Sequence, residues 1–308
     1  MRLATFRDDA GIRVGVVEGE HLLDIGRAAL LAGEDPPVEL RDMQALIAAG
    51  QQALDRVKAL MSGAPTSARL ALAEVELLAP LPHPRRNVFC LGRNYAEHAA
   101  ESLRAIGQEV KLPEYPNVFT KATTAVTGPF ADIPRDSTIS AQLDWEVELA
   151  VVIGRRGRQI LRQDALAHVF GYTILNDVSA RDIQHLPGLQ WFQGKSLDES
   201  SPMGPWLVTA DEVADPQRLT LSLRVNGDTK QHDSTAHMLF DVATIIATLS
   251  RVLTLEPGDI IATGTPAGVG FGRTPKEFLL PGDVMESEIE GIGMMRNRIV
   301  EIEATRRG

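Results

Sequence analysis

Apolar and polar residues alternate through much of the chain, and this period of two predicts a protein built mainly from β-strands. Short alternating runs broken by Gly and Asp-Asp turns fill residues 1–25, and "LTLSLRV" (219–225) repeats the pattern. The Asn226-Gly227 pair that follows accepts positive φ at both positions, so it predicts a tight hairpin turn. We expect a small antiparallel meander at the N-terminus and a larger β-rich unit after it.

Two segments have helical spacing instead. Residues 41–62 carry apolar residues three or four apart, at Met43, Leu46, Ile47, Leu54, Val57 and Leu60. A second stripe comprises Leu239, Val242, Ile246, Leu249 and Leu253, with Ser234 or Thr235 placed to cap the helix. Between the two units, "LLAPLPHPRRN" (77–87) holds three prolines, which disfavour helix and indicate a connector. We predict an N-terminal domain over residues 1–75 and a main domain over residues 76–308.

Composition narrows the class of protein. The 308 residues are 44% hydrophobic and 23% charged, as in ordinary globular proteins, and the formal net charge is −10. That charge repels nucleic acid, and the short basic run "GRRGR" does not offset it, so we expect no nucleic-acid partner. The polar start and the lack of about 18 successive apolar residues predict a cytoplasmic protein without a membrane partner. Cys90, in "NVFCLG", is expected to be a buried structural cysteine.

The strand "LDWEVELAVVIG" (143–154) carries two carboxylates in an apolar setting. Glu146 and Glu148 are two residues apart, so they point to the same face of a strand. A solvated strand end explains most such pairs. Here the apolar continuation indicates a strand covered on both sides, where a buried pair needs a compensating cation. Mg²⁺ takes oxygen ligands and keeps several waters, so two or three carboxylates suffice to bind it.

Asp177, in "GYTILNDVSARDIQ" (171–184), is the best third ligand because it ends an apolar strand. Taken alone, it is better explained as the cap of a short helix beginning near Val178. Arg181 and Gln184 fall with it on one side of a helical turn, where they can hold an anionic substrate beside a metal.

Three other segments carry candidate chemistry. His98 and Glu101, in "GRNYAEHAAE" (92–101), are three residues apart on a predicted helix, so their side chains can touch. They form either a general base with its orienting carboxylate or a solvated surface pair. Lys195, in "GKSLDES", is a cation near the acidic site or a surface lysine. Thr265, in the Gly-rich "TGTPAGVGFG", offers a hydroxyl to a substrate carboxylate or belongs to a plain turn.

Together these motifs resemble the fumarylacetoacetate hydrolase superfamily, and the resemblance runs from about Asn87 to Val300. It rests on the order of six segments: "GRNYAEHAAE", "DWEVELAVVIG", "GYTILNDVSARDIQ", "GKSLDESSPMGPW", "VNGDTKQ" and "LEPGDIIATGTPAGVG". The resemblance implies a β-rich α+β fold, a mixed β-sandwich roll with a small N-terminal α/β domain, and usually a homodimer. It is greatest to the smaller bacterial branch of acylpyruvate hydrolases, oxaloacetate decarboxylases, sugar-acid hydrolases and hydroxymuconate isomerases or decarboxylases.

The resemblance also implies roles for the candidate residues. The matching positions bind Mg²⁺ or Mn²⁺ (Glu146, Glu148, Asp177), activate water (His98, Glu101), assist beside the metal (Lys195) or contact substrate (Arg181, Gln184, Thr265).

We therefore predict a metal-dependent hydrolase that cleaves a C–C bond in a 2-oxo acid, such as an acylpyruvate or a fumarylacetoacetate-like 2,4-dioxo acid, in aromatic or sugar acid catabolism. Retention of His98 and Glu101 favours hydrolysis, because decarboxylation needs no attacking water. The alternatives are an oxaloacetate-type decarboxylase or a 2-hydroxymuconate-type isomerase or decarboxylase on the same site. A non-catalytic metal or acid-binding module is the remaining reading.

Overall fold

The computed structural model describes residues 1–188 and 190–302. The helices are α1 (Ile25–Leu31), α2 (Met43–Ala49), α3 (Gln51–Gly63), α4 (Ala96–Ala105), α5 (Arg181–Gln184), α6 (Trp191–Lys195) and α7 (Val242–Val252). The strands are β1 (Arg2–Asp8), β2 (Gly11–Glu18), β3 (His21–Asp24), β4 (Arg69–Ala71), β5 (Glu76–Leu77), β6 (Val88–Gly92), β7 (Asn117–Lys121), β8 (Val126–Thr127), β9 (Ile133–Arg135), β10 (Leu143–Asp144), β11 (Val147–Ile153), β12 (Val169–Asn176), β13 (Ser179–Ala180), β14 (Ser201–Thr209), β15 (Thr220–Val225), β16 (Asp228–Ser234), β17 (Ile260–Ala262), β18 (Val284–Ile289) and β19 (Gly293–Glu301).

Two mixed sheets form the body of the protein. The larger runs in the order β4-β3-β2-β1-β14-β12-β11-β17-β6-β7, with β5 paired to β1 and β8 paired to β14. The smaller runs β16-β15-β18-β19-β9, and β10 pairs separately with β13. Most pairs are antiparallel, and three pairs among the described strands are parallel: β17 with β6, β19 with β9, and β14 with β8. The expected β-rich α+β fold with mixed sheets is confirmed.

Strand β11 lies between two apolar layers, as its sequence predicts. Val147, Leu149 and Val151 pack toward the smaller sheet in one cluster with residues of β15 and β18. Ala150 and Val152 pack on the opposite face in a second cluster, which includes residues of α1, α2 and α3. Alternation along the strand thus assigns odd and even positions to different cores.

The N-terminal meander is present, since β1, β2 and β3 pair antiparallel in sequence order. Strand β1 also pairs with β14, where Arg2 lies opposite Val208, so these strands extend the larger sheet. The division into domains at residue 75 stays a prediction, and residues 303–308 of the second domain lie outside the described part. In that part, no helix is both long and apolar enough to cross a membrane.

Two local predictions are corrected by the structure. The helical segment 41–62 is two helices, because Gly50 takes a left-handed φ of 62° between α2 and α3. The cap of α7 was expected at Ser234 or Thr235, which is wrong. The carboxylate of Asp241, directly before the helix, accepts from the Thr244 N–H at 2.7 Å, whereas Ser234 caps a separate 3₁₀ turn.

The hairpin prediction is confirmed. Asn226 and Gly227 have φ values of 53° and 86° between β15 and β16, as the tight turn requires. Cys90 is fully buried in β6, as expected.

Candidate active site

Three carboxylates meet at the start of β11. One ligand oxygen each of Glu146, Glu148 and Asp177 lies within 4.8 Å of the other two, and all three residues are buried. Glu146 immediately precedes β11, and Asp177 immediately follows β12, the neighbouring strand. The backbone bond from the Asp177 N–H to the Glu146 carbonyl, at 2.8 Å, fixes these two residues together. The Asp177 side chain contacts lysines rather than capping a helix, and α5 begins only at Arg181.

Two buried lysines contact this cluster. Lys195 donates to Glu146 Oε2 at 2.7 Å and to Asp177 Oδ2 at 2.8 Å. Lys121, at the end of β7, donates to Asp177 Oδ1 at 2.6 Å and to the Val178 carbonyl at 3.2 Å. Burial alone would lower the pKa of Lys195, but Asp177 and Glu146 raise it above its usual value. Lys195 is therefore an ammonium ion here, able to stabilise negative charge but not to remove a proton.

Arg181 links the cluster to a fourth buried carboxylate. Its Nε donates to Asp144 Oδ2 at 2.8 Å, its Nη2 to Glu146 Oε1 at 2.6 Å and its Nη1 to Gln184 Oε1 at 2.9 Å. Asp144 also accepts the Gly270 and Phe271 N–H groups. The guanidinium thus orients Glu146 and Gln184, which leaves it few donors for a substrate.

The electrostatics of the cluster suit a divalent cation. Burial raises the pKa of Glu148 well above its usual value, and Asp177 and Glu146 raise it further. Burial acts in the same direction on Glu146, but Lys195 and Arg181 outweigh it and lower its pKa to about 2. Four buried carboxylates here face three buried cations among the described residues, so negative charge is left over. The all-oxygen donor set fits Mg²⁺ or Mn²⁺.

His98 and Glu101 lie on α4, which faces the carboxylates. His98 Nδ1 is 3.5 Å from Glu101 Oε2, within ion-pair distance, yet the geometry gives this buried nitrogen no hydrogen bond among the described residues. His98 Nε2 lies 3.4 Å from Ser102 Oγ, and Glu101 accepts the Gly268 N–H. Such pairs are often long before substrate binds, so the arrangement remains compatible with a general base.

An inner cavity of about 40 Å³ brings most of the predicted residues together. It is large enough for about three water molecules. The predicted residues that line it are His98, Glu146, Arg181, Gln184, Lys195 and Thr265. Glu148 and Asp177 do not line it, and Glu101 instead lines a larger outer cleft of about 930 Å³. Phe271 borders both spaces.

Thr265 is fully engaged within the protein. Its Oγ1 donates to the Val147 carbonyl at 2.9 Å and accepts from Gln231 Nε2 at 2.8 Å. It therefore fixes the loop against β11, and any contact with substrate needs this pair to rearrange.

Sequence reasoning missed three residues of the site. Asp144 continues the same-face spacing of Glu146 and Glu148, so the periodicity contained a signal for it. Lys121 gave none, because an ordinary strand-ending lysine is exposed whereas this one is 1% exposed. Arg93, which lines the inner cavity, lies within "GRNYAEHAAE" without a distinctive spacing.

Comparisons with known proteins agree with this geometry. The family model described as "Fumarylacetoacetate (FAA) hydrolase C-terminal" matches residues 87–300, and "Rv2993c-like, N-terminal" matches residues 1–80. An oxaloacetate tautomerase of Bacillus subtilis is 48% identical over 229 residues, which cover 74% of each chain. A mitochondrial oxaloacetate tautomerase of Bos taurus is 41% identical over 306 residues, 97% of this chain and 92% of the relative.

Among solved structures, the maleylpyruvate hydrolase of Sphingobium sp. SYK-6 in complex with manganese(II) ion and pyruvate is similar throughout. It is 33% identical, with a TM-score of 0.77 over 98% of this chain and all of the other. The relatives thus include both a tautomerase and a hydrolase on one fold.

Proposed function

This chain belongs to the fumarylacetoacetate hydrolase family, and from that membership we propose that it interconverts the keto and enol forms of oxaloacetate at a divalent-metal site. The observation that carries the proposal is that His98, Lys195 and Glu146 line one inner cavity of about 40 Å³. They bring a candidate base, an ammonium ion and a metal-binding carboxylate around one space, which is the set of groups that enolisation of a 2-oxo acid needs. The tautomerase relatives support the same reading over our expectation of C–C hydrolysis.

The residues divide the chemistry between them. Glu146, Glu148 and Asp177 would hold Mg²⁺ or Mn²⁺, and the bound ion would supply Lewis acidity to a 2-oxo acid substrate. Lys195 Nζ donates to the 2-oxo oxygen, where negative charge develops when C3 loses a proton. Since Lys195 is an ammonium ion held by carboxylates, we assign removal of this proton to His98, which lies beside Glu101.

Tautomerisation is then completed by His98, which returns the proton to the 2-oxo oxygen. Arg181 and Gln184 act mainly by holding Glu146 in place. No water molecule is consumed, in contrast to hydrolysis.

The proposal is tested by mixing the purified protein, supplemented with Mg²⁺ or Mn²⁺, with oxaloacetate prepared in its enol form. We expect the ultraviolet absorbance of the enol to decay faster than in buffer, with no faster release of pyruvate. Pyruvate release at the rate of enol decay would identify a decarboxylase instead. An unchanged decay rate at saturating metal would refute tautomerisation.

Hydrolysis of an acylpyruvate is the second candidate, favoured by the 3.5 Å approach of His98 Nδ1 to Glu101 Oε2, since this pair can also activate water. Assaying acetylpyruvate in parallel distinguishes the two, because hydrolysis releases pyruvate and acetate. We retain the expectations of a homodimer, which analytical ultracentrifugation measures, and of a cytoplasmic enzyme.

A further inference from the structure

Arg93 occupies an unusual position beside the carboxylate cluster. It follows β6 directly and has a left-handed φ of 57°, which is costly for a residue with a side chain. It is half-buried and lines the inner cavity with Glu146, Lys195 and His98. Strain of this kind is retained where the surrounding structure requires a particular side-chain direction.

The guanidinium of Arg93 contacts an aromatic ring but no carboxylate in the part of the chain that the structure describes. Its Cζ lies 5.8 Å from the centre of the Trp191 ring. Within residues 1–188 and 190–302, no side chain or carbonyl forms a hydrogen bond or ion pair with it, in contrast to Arg181. A guanidinium in cation–π contact with an indole keeps N–H donors for a polar ligand, and those donors match a carboxylate.

Trp191, whose ring contacts the Arg93 guanidinium, is itself closely packed. Phe119 packs edge-on against Trp191, with ring centres 5.4 Å apart and planes at 78°. Gly92 leaves room for the indole, because a Cβ there would lie 2.6 Å from Trp191 Cζ3. Among the described residues, Arg93 is therefore held in position by packing and not by a polar partner.

Helix α6 carries both Lys195 and the aromatic residue that contacts Arg93. Trp191 and Lys195 are four residues apart on it, so they lie on one side of a single turn, about 6 Å apart at Cβ. Lys195 contacts the metal-binding carboxylates, and Trp191 supports Arg93. Arg93 and Lys195 also line the same inner cavity, so a short ligand can contact both.

We propose that Arg93 binds the second carboxylate of a short 2-oxo dicarboxylate and thereby selects dicarboxylates over 2-oxo acids with an apolar tail. This deepens the function proposed above and rests on it for the placement of the 2-oxo end near Lys195. Arg93 then holds one end of the substrate, and Lys195, with the metal that the three carboxylates would bind, holds the other.

The test compares two substrates that differ only at the tail. Oxaloacetate and 2-oxobutanoate share the 2-oxo acid head, with a carboxylate in one and a methyl group in the other. Exchange of their C3 protons for deuterium, followed by NMR in D₂O with Mg²⁺ and corrected for the uncatalysed rate, reports enolisation of both. Arg93→Met keeps an unbranched side chain at the same φ and removes the charge.

For Arg93→Met we expect kcat/KM for oxaloacetate to fall about 10- to 100-fold, mostly through KM, as for a lost charge-assisted pair. The rate with 2-oxobutanoate should not change, and Arg93→Lys should recover part of the loss. Arg104→Met is the matched control: it removes an exposed arginine of α4 that lines only the outer cleft, so its oxaloacetate kinetics should stay unchanged. Equal losses for both substrates, or none for oxaloacetate, would overturn the proposal.

A binding experiment tests the Arg93 carboxylate site independently of tautomerase activity. Malate and 2-hydroxybutanoate repeat the same difference at the tail but cannot enolise, and calorimetry with Mg²⁺ measures their affinities. If wild-type protein enolises neither 2-oxo acid, tautomerisation is refuted, while weaker malate binding by Arg93→Met still supports the carboxylate site. Malate affinity that Arg93→Met leaves unchanged would refute the site itself. Mg²⁺ affinity, measured in the same experiment, shows that each variant retains its fold.

Discussion

Replacing Glu148 by glutamine should stabilise the metal-free protein while removing its response to metal. The substitution keeps the shape of the side chain and an oxygen that accepts the Gly264 N–H, now at 2.7 Å. It deletes one of three buried carboxylates whose ligand atoms lie within 4.8 Å of each other. Unlike Glu146 and Asp177, Glu148 forms no ion pair with a lysine or arginine among the described residues.

The expected size of the effect follows from these distances. At an effective dielectric constant of about 20, two unit charges 4.8 Å apart repel by about 3.5 kcal/mol. Proton uptake by Glu148 relieves part of this repulsion, since burial and the neighbouring carboxylates raise its pKa well above the usual value. We therefore expect Glu148→Gln to raise the free energy of unfolding at pH 8 by about 1 to 3 kcal/mol without metal.

The sign of the pH dependence is fixed by the same shift. Because the pKa of Glu148 is higher in the folded protein, the folded state binds more protons than the unfolded state above pH 4.5. Stability is then lost as pH rises from about 5 toward the folded pKa, by at most about 1.4 kcal/mol per pH unit for one proton. Glu146, with its pKa lowered to about 2, adds nothing to this slope because it is already ionised in both states.

Denaturant unfolding in EDTA at pH 5, 6, 7 and 8, repeated with excess Mg²⁺, measures both effects. In EDTA, Glu148→Gln should have a higher free energy of unfolding than wild type, by a margin that grows with pH. Added Mg²⁺ should raise the free energy of unfolding of wild type more than that of the variant. Glu286→Gln is a suitable control, since it removes a carboxylate of β18 outside the cluster. A Glu148→Gln variant that is less stable in EDTA, or that gains as much from Mg²⁺ as wild type, would refute this reasoning.

Three further variants test other parts of the site. Lys121→Met removes a 1% exposed cation from Asp177, so it should cost about 3 kcal/mol in EDTA, and Mg²⁺ should restore part of this in denaturant unfolding. His98→Ala should slow enol decay by 100-fold or more, about the effect of a lost general base, with Mg²⁺ affinity by calorimetry unchanged. Gly92→Ala places a Cβ against the Trp191 ring, so it should alter indole fluorescence and lower kcat/KM for oxaloacetate by about tenfold.

The elements that local sequence determines were predictable. The turn at Asn226-Gly227 depends on two residues that accept positive φ, and the face shared by Glu146 and Glu148 depends only on strand period. The break of the helical segment at Gly50 was not predicted, because a single glycine also occurs inside helices. Several polar residues before α7 could have capped it, and the structure shows that Asp241, directly before the first turn, is the one that does.

Site residues were predictable where a single sequence segment contained the motif. They were not predictable where the role of a residue depends on contact with another residue far away in the chain. Lys121 reaches Asp177 across 56 residues, and nothing in "NVFTK" indicates that its lysine is buried. The Arg93 guanidinium contacts Trp191, nearly 100 residues later, and has no carboxylate partner among the described residues. Such pairings arise from the order of strands in the sheet, which the pattern of a single segment does not encode.

The placement of the carboxylates on a core strand has a physical reason. The odd-numbered residues of β11, from Val147 onward, pack toward the smaller sheet. The even-numbered positions are apolar at Ala150 and Val152, but toward the start of the strand they are occupied by Glu148 and Glu146. Apolar contacts hold the strand on both faces along most of its length, and the charged residues occur only at its start, where Glu146 lines the inner cavity. The rigid core thus fixes the spacing of the carboxylates, and Lys121, Lys195 and Arg181 offset the cost of burying them. Removal of any one of these cations should therefore lower the free energy of unfolding while leaving the positions of the strands unchanged.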